Sequence, residues 1–600
     1  MALFETIKGF LSYKEPSNVE QFELLEDESE GMDSESQQDS SKINEQNNID
    51  NASSKSSEKL KGKKIPMPMD EWNEERKQDS NTQQDPASQQ DSNSAAKNYI
   101  SKDLLQNRLV MEQEFNLPIN KDIVIRDIHV GKSTDAFIVF VDGMVDNTII
   151  NDYILRPLLT ENHFRSVEDE CDVDYIIKNV LSINQISKTF TYDEVITQVL
   201  NGLTALFIQG CLEVVIIETR GFEKRSIEQP VTETVISGPH EAFTENLRTN
   251  LTLVRKIVKN KDLITEMLPV GKTNHSNCGV MYIDGIANTK IVDEVKRRIK
   301  SIDIDFIMGS GMLNQLIEDH PYAIFPQILS TERPDRTASF LMEGKVIFIC
   351  DGTPYASAVP VTFFHMFHSS EDSFMRWQYG TFLRLIRIMA FFLAMFLPGF
   401  YVALALYHAE MIPTELLLAI EISRENVPFP VIVEILMVEF GFELIREAGV
   451  RVPDVIGQTL GILGALILGQ AAVTANLVSP ILIIIVAITG LGNFAMPNYY
   501  LGVAIRILKF LFIFLGFFAG FYGISIGVFM VGGMACSMKC FGVPYFTPVA
   551  PKTEVNPDVI IRQPIWKQRM RPDLLNNPNK TRTGKIVRGW ADKDKKGDRK

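Results

Sequence analysis

Four glutamates stand in one of the most apolar parts of the sequence, the stretch PVIVEILMVEFGFELIREAGVRVP from Pro430 to Pro453. Carboxylates in such surroundings attract cations or pair with bases, and each is costly unless it is paired or hydrated. At 100° per residue, one polar stripe forms on a single helix face, and it contains Glu439, Glu443, Arg446 and Glu447. Glu434 falls on the opposite, apolar face, so the stretch raises two separate questions.

The stripe suits a helix that lies at a membrane interface with its polar face in water. Glu434 needs another explanation: it gains from the dipole at the start of its own helix, or it pairs with Arg424 or Arg451. A third possibility is a place on an ion pathway, where one carboxylate from each of several subunits would form a ring that attracts cations. Proline suits the first turn of a helix, so Pro430 predicts its start and Gly449 its stop.

Uncharged polar residues in the neighbouring apolar stretches extend the candidates for an ion pathway. Amides inside a membrane-crossing segment either line water or bond one helix to another. Both explanations stay open, and the candidate pathway residues are Glu434, Gln458, Gln470 and Asn476.

Several runs after Arg384 approach or exceed the roughly 20 residues that a helix needs to cross a bilayer. They lie at about 385–407, 455–474, 477–496 and 509–535, with a broken amphipathic helix segment at 413–449. Runs such as GFFAGFYGISIGVFMVGGMA are rich in small residues, which let helices approach closely, so they predict a packed bundle or oligomer.

Basic residues before the first run place its start in the cytoplasm by the positive-inside tendency. Four spans would return the basic tail to the same side. Arg506 and Lys509 disagree with that count, because it would put them at the outer face.

Two similar units precede the membrane part, FIVFVDGMVDNTIIND at 137–152 and VMYIDGIANTKIVDE at 280–294. Each has an apolar strand, an Asp-Gly pair that suits a turn, and a helix-like segment. The predicted fold is therefore an α/β soluble N-terminal region of two related subdomains, followed by an α-helical transmembrane bundle. The predicted domains are a disordered acidic and polar arm at 1–95, cytosolic α/β subdomains at 96–240 and 241–375, a transmembrane domain at 376–540 and a basic cytosolic tail at 541–600.

Composition and motifs argue against catalysis. The net charge of −15 is concentrated as acid in the arm, so it does not indicate a nucleic-acid partner. No nucleophile motif, metal-ligand spacing or cofactor loop stands out, so we expect no enzyme activity, cofactor or metal. His365 and His368, one turn apart just before the membrane part, are interpreted as an interfacial pair.

Several separate motifs, in order, resemble the A subunit of the GerA-type nutrient germinant receptors of spore-forming bacteria. They include GPHEAFTENLRTNLTLVRKIV, IFPQILSTERPDRTASFLMEGKVIFICDGTP, VPFP, FELIREAGVRVPDVIGQ and GQAAVTANLVSP, over roughly residues 95 to 550. The resemblance implies residence in the spore inner membrane as a multi-pass protein with a cytosolic N-terminal domain. It also implies assembly with a membrane-embedded B subunit and a lipoprotein C subunit.

In that family, small nutrients trigger germination and the release of cations, and recognition of the nutrient is ascribed mainly to the B subunit. The resemblance implies that the A subunit forms an oligomeric, nutrient-gated cation channel. Two other functions stay open: a non-conducting scaffold that clusters receptor complexes, and a component of a secondary transporter, for which Pro428 and Pro430 suggest a broken helix.

Overall fold

The computed structural model describes residues 98–132, 134–160, 164, 172–221, 229–451, 469–553 and 558–584. Four parts of the sequence predictions lie outside the described residues: the arm at 1–95, Gln458, most of the span at 455–474 and the end of the tail.

Two five-stranded sheets form the soluble part. The first contains β1 (Ile123–Val130), β2 (Thr134–Val141), β3 (Ile186–Thr189), β4 (Thr204–Ile208) and β5 (Val214–Ile217). The second contains β6 (Leu263–Val270), β7 (Ser276–Ile283), β8 (Leu329–Thr331), β9 (Val346–Cys350) and β10 (Ala356–Val359). The orders are β1-β2-β4-β5-β3 and β6-β7-β9-β10-β8, so both sheets have the same topology, with antiparallel neighbours. The prediction of two related subdomains is confirmed.

Helices cover both sheets. Those of the first subdomain are α1 (Leu104–Glu114), α2 (Arg156–Leu159), α3 (Val173–Tyr175) and α4 (Tyr192–Leu200), with π-helical turns at Ile149–Leu155 and Ile176–Val180. Those of the second are α5 (Leu247–Ile257), α6 (Thr289–Lys300), α7 (Ser310–Ile317), α8 (Pro334–Glu343) and α9 (Glu371–Phe374), with a 3₁₀ turn at Phe363–Phe367. Helices and sheets together confirm the α/β class of the soluble part.

The two Asp-Gly pairs follow β2 and β7 and reverse the chain. Gly143 and Gly285 have φ values of 85° and 73°, a left-handed conformation that glycine adopts without strain. A buried ion pair near the first of these turns joins the subdomains, since Arg255 Nη2 of α5 donates to Asp122 Oδ2 at 2.6 Å.

The apolar part contains α10 (Trp377–Tyr407), α11 (Thr414–Arg424), α12 (Val431–Arg451), α13 (Pro480–Phe494) and α14 (Tyr499–Ser537), with a 3₁₀ turn at Ala409–Met411. Among the described residues, two of these helices, α10 and α14, are long and apolar enough to cross a membrane, and α13 is shorter. The apolar bundle predicted to follow the soluble region is therefore present.

α14 is broken at its centre. Ala519 has φ −142° and ψ 17°, and Gly520 has φ 58° and ψ −141°, so neither continues the helix. The sequence prediction of one span at 509–535 is wrong for this reason: two helical arms, 499–518 and 521–537, meet at these residues.

The second arm of α14 folds back along the first. A Cβ atom on Gly527 would lie 2.8 Å from a ring carbon of Phe512, 15 positions earlier in the chain. A straight helix would separate these residues by about 22 Å. α14 is therefore a helical hairpin, with its tip beside His408 at the end of α10.

The tail returns to the second subdomain. A short hairpin of β11 (Lys539–Cys540) and β12 (Val543–Pro544) follows α14, and 3₁₀ turns form at Ile565–Lys567 and Asp573–Leu575. Phe541 N–H donates to Asp319 Oδ2 at 2.6 Å, and Tyr545 O–H donates to the Pro326 carbonyl at 2.6 Å. The start of α10 and the end of α14 are thus joined to the same subdomain.

One carboxyl at this junction makes stability depend on pH. Burial, and then the neighbouring Asp319, raise the pKa of Glu318 from its usual 4.5 to about 7. The unfolded chain ionises Glu318 at lower pH than the folded chain does, so this residue lowers stability progressively as pH rises from about 4.5 through 7. We expect Glu318→Gln to raise the thermal unfolding midpoint of the full chain at pH 8 more than at pH 5. The same change at exposed Glu245 is the control, and an equal effect of both substitutions at both pH values would contradict the assignment.

Candidate functional site: an ionic cluster in the helical bundle

Four helices meet at two levels of the bundle, which fixes their directions. One level contains Ala394 of α10, Glu443 of α12, Asn493 of α13 and Ile505 of α14. The other contains Tyr401 of α10, Ile435 of α12, Leu482 of α13 and Ile513 of α14. Residue numbers rise between the levels in α10 and in the first arm of α14, and they fall in α12 and α13. α12 therefore runs antiparallel to α10 within the bundle.

Five charged side chains, here called the ionic cluster, meet between α12 and the first arm of α14. Lys509 Nζ donates to Glu439 Oε2 at 2.5 Å and lies 3.5 Å from Glu443 Oε1. Arg506 Nη1 donates to Glu443 Oε2 at 3.3 Å, and Arg446 Nη1 lies 3.8 Å from the same oxygen. The ionic cluster therefore joins two elements about 70 positions apart in sequence.

The centre of the ionic cluster is deeply buried. Glu439 is 1% exposed and Lys509 is 4% exposed. Glu439 Oε1 and Arg446 Nε have no hydrogen-bond partner in the described part of the chain. Removing one partner of such a pair leaves an uncompensated buried charge, which is far more costly than replacing both.

Aromatic and amide groups complete the surroundings of Arg446. Its guanidinium lies 4.8 Å from the ring centre of Phe494 and 5.5 Å from that of Phe442. With its amide in the orientation that satisfies both sides, Asn493 accepts from Arg446 and donates to the Gly502 carbonyl. A small cavity of about 10 Å³ lies beside these groups, close to the space that one water occupies.

The charge balance limits what the ionic cluster can do. Two carboxylates face three basic groups, so the ionic cluster carries a net charge of +1 when all five are ionised. A positive site repels cations, so it does not suit the lining of a cation pathway. It suits an ion-paired contact that holds α12 against the first arm of α14, in surroundings where a charge pair is stronger than in water.

Glu434 lies at the other level and is also paired. Its carboxylate accepts from Arg424 Nη2 of α11 at 3.1 Å and from the Ser479 N–H at 3.2 Å. Ser479 caps α13, so Glu434 joins α11 and α12 to the N-terminus of a third helix. Of the explanations open from the sequence, the structure places Glu434 next to Arg424 and away from Arg451, with 1% of its surface exposed.

Glu434→Gln should therefore weaken packing. The amide can still accept from Ser479, but Arg424 loses its anionic partner, so we expect a loss of about 1.5–3 kcal/mol in the free energy of unfolding. Arg424→Gln should have a similar effect, and the double variant should lose less than the sum. Unchanged stability of the Glu434→Gln chain would contradict this role.

The predicted interfacial stripe is divided between two environments. Glu439, Glu443 and Arg446 face Lys509 and Arg506 inside the bundle, whereas the stripe prediction placed them in water. The reason is that α12 packs along α10 and α14, which carries the complementary bases.

Glu447, the fourth residue of the stripe, is exposed and accepts from Arg451 Nη2 at 2.7 Å. The predicted stop at Gly449 is wrong, since the helix continues to Arg451. The cost of one glycine in a helix is about 1 kcal/mol, and the packing of the rest of the helix exceeds it.

The other two described pathway candidates lie outside the ionic cluster. Gln470 and Asn476 are exposed, and the backbone at 469–474 is helical. Ala472 and Val473 of this turn pack against the bundle, so the polar residues face outward. Glu434 is buried whereas Gln470 and Asn476 are exposed, so the three residues do not line one surface within a single chain. No group of metal-ligating side chains occurs in the described ranges.

Sequence reasoning noticed Arg506 and Lys509 only as an objection to the span count. The signal that identifies them is the match between two acids in one apolar segment and two bases in another. Periodicity within each segment does not say which segments pair.

Paired α/β subdomains joined to an apolar bundle with an ion-paired interior define this chain as a membrane-associated protein with a large soluble domain. The family model for the Bacillus/Clostridium GerA spore germination protein matches residues 110–574. This chain belongs to the GerA family of spore germination proteins.

Relatives match over most of their length. Spore germination protein KA of Bacillus subtilis (strain 168) is 37% identical, covering 82% of this chain and 92% of the relative. Spore germination protein GerLA of Bacillus cereus is 36% identical, covering 77% and 93%. A crystal structure of the N-terminal domain of the A subunit of the Bacillus megaterium spore germinant receptor GerK3 matches with 32% identity and a TM-score of 0.36, covering 44% of this chain and 97% of that one.

Proposed function

We propose that this chain is the A subunit of a nutrient germinant receptor, without enzyme activity, and that several copies form a nutrient-gated cation channel in the spore inner membrane. The observation that carries the proposal is the outward polar face at 469–476. Gln470 and Asn476 lie on an apolar segment that packs on the bundle, yet they point away from it. Amides are costly against lipid, and an oligomer that encloses water along this face removes the cost.

In a ring of copies, the outward polar face of every copy has the same environment. In a cyclic assembly the same segment of every copy faces the axis, so Gln470, Asn476 and, by its place in the sequence, Gln458 would line one path. Glu434 and the ionic cluster stabilise the bundle behind that lining. The break in α14 at Ala519 and Gly520 would let the hairpin move when the channel opens.

The contacts of the tail support a cytosolic location for both ends of the described chain. Phe541 and Tyr545 follow α14, and they hydrogen-bond to the second subdomain, which precedes α10. This arrangement supports an even number of membrane crossings. We propose that the nutrient binds mainly to the B subunit, and that this subunit and the lipoprotein C subunit complete the receptor.

Conductance tests the proposal. The full chain, reconstituted with its B and C subunits in a planar bilayer, should pass cations when the nutrient is added and much less before. A scaffold would give assembled receptors without current, so that result would contradict the proposal.

A further inference from the structure

A cavity of about 300 Å³ lies where the second subdomain, the start of α10 and the tail meet. It is separate from the ionic cluster, and the proposed channel does not use it. Four guanidinium groups contribute to its lining, from Arg336, Arg384, Arg562 and Arg582.

Two of these four guanidinium groups are balanced by carboxylates. Arg336 Nη1 lies 2.6 Å from Glu233 Oε1, and Arg384 Nε lies 3.0 Å from Asp372 Oδ2. Arg384 also bonds to Asp558, an acid of the tail, at 2.5 Å. These pairs hold the cavity wall together.

The other two guanidinium groups are less directly balanced, although Asp558 and Asp372 lie close enough to act on the charge of Arg562. Arg562 donates to the carbonyls of Met375 at 2.9 Å and Ser373 at 3.1 Å, which carry no net charge. Arg582 is exposed, and neither it nor Arg562 has a carboxylate within ion-pair distance in the described ranges.

The remaining acids of the lining do not offset that charge. Asp335 is held by Arg333 at 3.0 Å, and Glu343 by Lys345 at 2.9 Å. Counted with their partners, these groups are six bases and five acids, since Arg384 faces both Asp372 and Asp558, so the cavity keeps a surplus of one positive charge.

Neutral hydrogen-bonding groups also contribute to the lining of the cavity. The Thr362 N–H donates to His365 Nδ1 at 3.1 Å, which places the proton of His365 on Nε2. Burial and the nearby Lys345 hold the pKa of His365 well below its usual value, so the ring is neutral. Ser370 is 9% exposed, and its Oγ has no hydrogen-bond partner in the described part of the chain.

We propose that this cavity binds a phosphate group. Guanidinium groups match the geometry of phosphate oxygens, and hydroxyl and imidazole donors complete such a site. The phosphate can come from an anionic lipid or from solution. The first source is close, because the cavity adjoins the start of α10, where Trp377 and Tyr379 are typical of the level of lipid headgroups.

The test uses the full chain in lipid nanodiscs and the substitution Arg582→Gln. Arg582 is exposed, so this change should leave the fold intact. Lys580→Gln, two positions away and outside the cavity lining, removes the same charge and is the control. One arm titrates inorganic phosphate into phosphatidylcholine nanodiscs, and the other replaces part of that lipid by phosphatidylglycerol, with binding read by calorimetry and by the thermal unfolding midpoint.

We expect Arg582→Gln to weaken binding about tenfold or more, which is the effect of losing one hydrogen bond from a charged group, and Lys580→Gln to change it little. An effect in the phosphate arm supports the site with free phosphate as its ligand. An effect in the phosphatidylglycerol arm alone supports the site with a lipid headgroup. Binding that is absent from both arms, or that Arg582→Gln and Lys580→Gln change equally, would overturn the proposal.

Discussion

Replacing Lys509 with methionine is expected to cost about 3–5 kcal/mol of the free energy of unfolding, the effect of leaving a buried carboxylate without its partner. Glu439, at 1% exposure, has Lys509 as its closest base, and its second oxygen has no partner among the described residues. The measurement is equilibrium unfolding of the full chain in detergent micelles, together with the amount of protein in the membrane.

The double variant Glu439→Gln with Lys509→Met should recover much of that loss, because no charge is then left unpaired. Arg451→Gln provides the control, since its pair with Glu447 is exposed on both sides and is worth about 1 kcal/mol or less. If Lys509→Met destabilised the chain no more than Arg451→Gln does, the ionic cluster would not hold the bundle together.

The second large effect concerns the crossing of α10 with the first arm of α14. A Cβ atom on Gly516 would lie 2.6 Å from the Gly399 carbonyl oxygen, and one on Gly399 would lie 2.6 Å from the Phe512 carbonyl oxygen. These contacts are with backbone, so the helices must separate to accept a side chain. We expect Gly516→Ala to cost about 1–3 kcal/mol and Gly516→Leu to prevent accumulation of folded protein.

Gly532→Ala is the matched control in the second arm of the same element, because a Cβ atom there would meet nothing within 4 Å. Alanine favours helix over glycine, so this change should leave stability unchanged or raise it slightly. Equal behaviour of Gly516→Ala and Gly532→Ala in the same unfolding measurement would contradict the close crossing.

The sequence predicted those features that depend on local pattern. The repeated strand, Asp-Gly and helix units indicated two related subdomains, and two sheets of equal topology confirm them. Pro430 correctly indicated the start of α12, since fixed φ and a missing N–H favour the first turn of a helix. Small residues indicated close helix packing, which the contact of Gly399 with Gly516 provides.

Features that depend on long-range packing were not available from local pattern. Gly520 is one of several glycines in an apolar run, and nothing in its neighbours marks it as the hinge. The partner of Glu439 comes from a distant helix, so periodicity on α12 suggested water instead of Lys509. For Glu434 the sequence offered Arg424 only as one of several explanations. Amphipathic spacing indicates that one face of a helix is polar, and the tertiary structure determines which groups contact that face.

The proposed pathway has one direct test, the accessibility of Gln470 during nutrient-gated current. The Gln470→Cys chain, with exposed Cys536 changed to serine, would be reconstituted with its B and C subunits and treated with a charged thiol reagent. Glu447→Cys in the same background is the control, because Glu447 is exposed but belongs to a different helix. We expect the reagent to block the current of the Gln470→Cys receptor and to leave the current of the Glu447→Cys receptor unchanged. Current that persists after Gln470→Cys has been fully labelled would contradict the account.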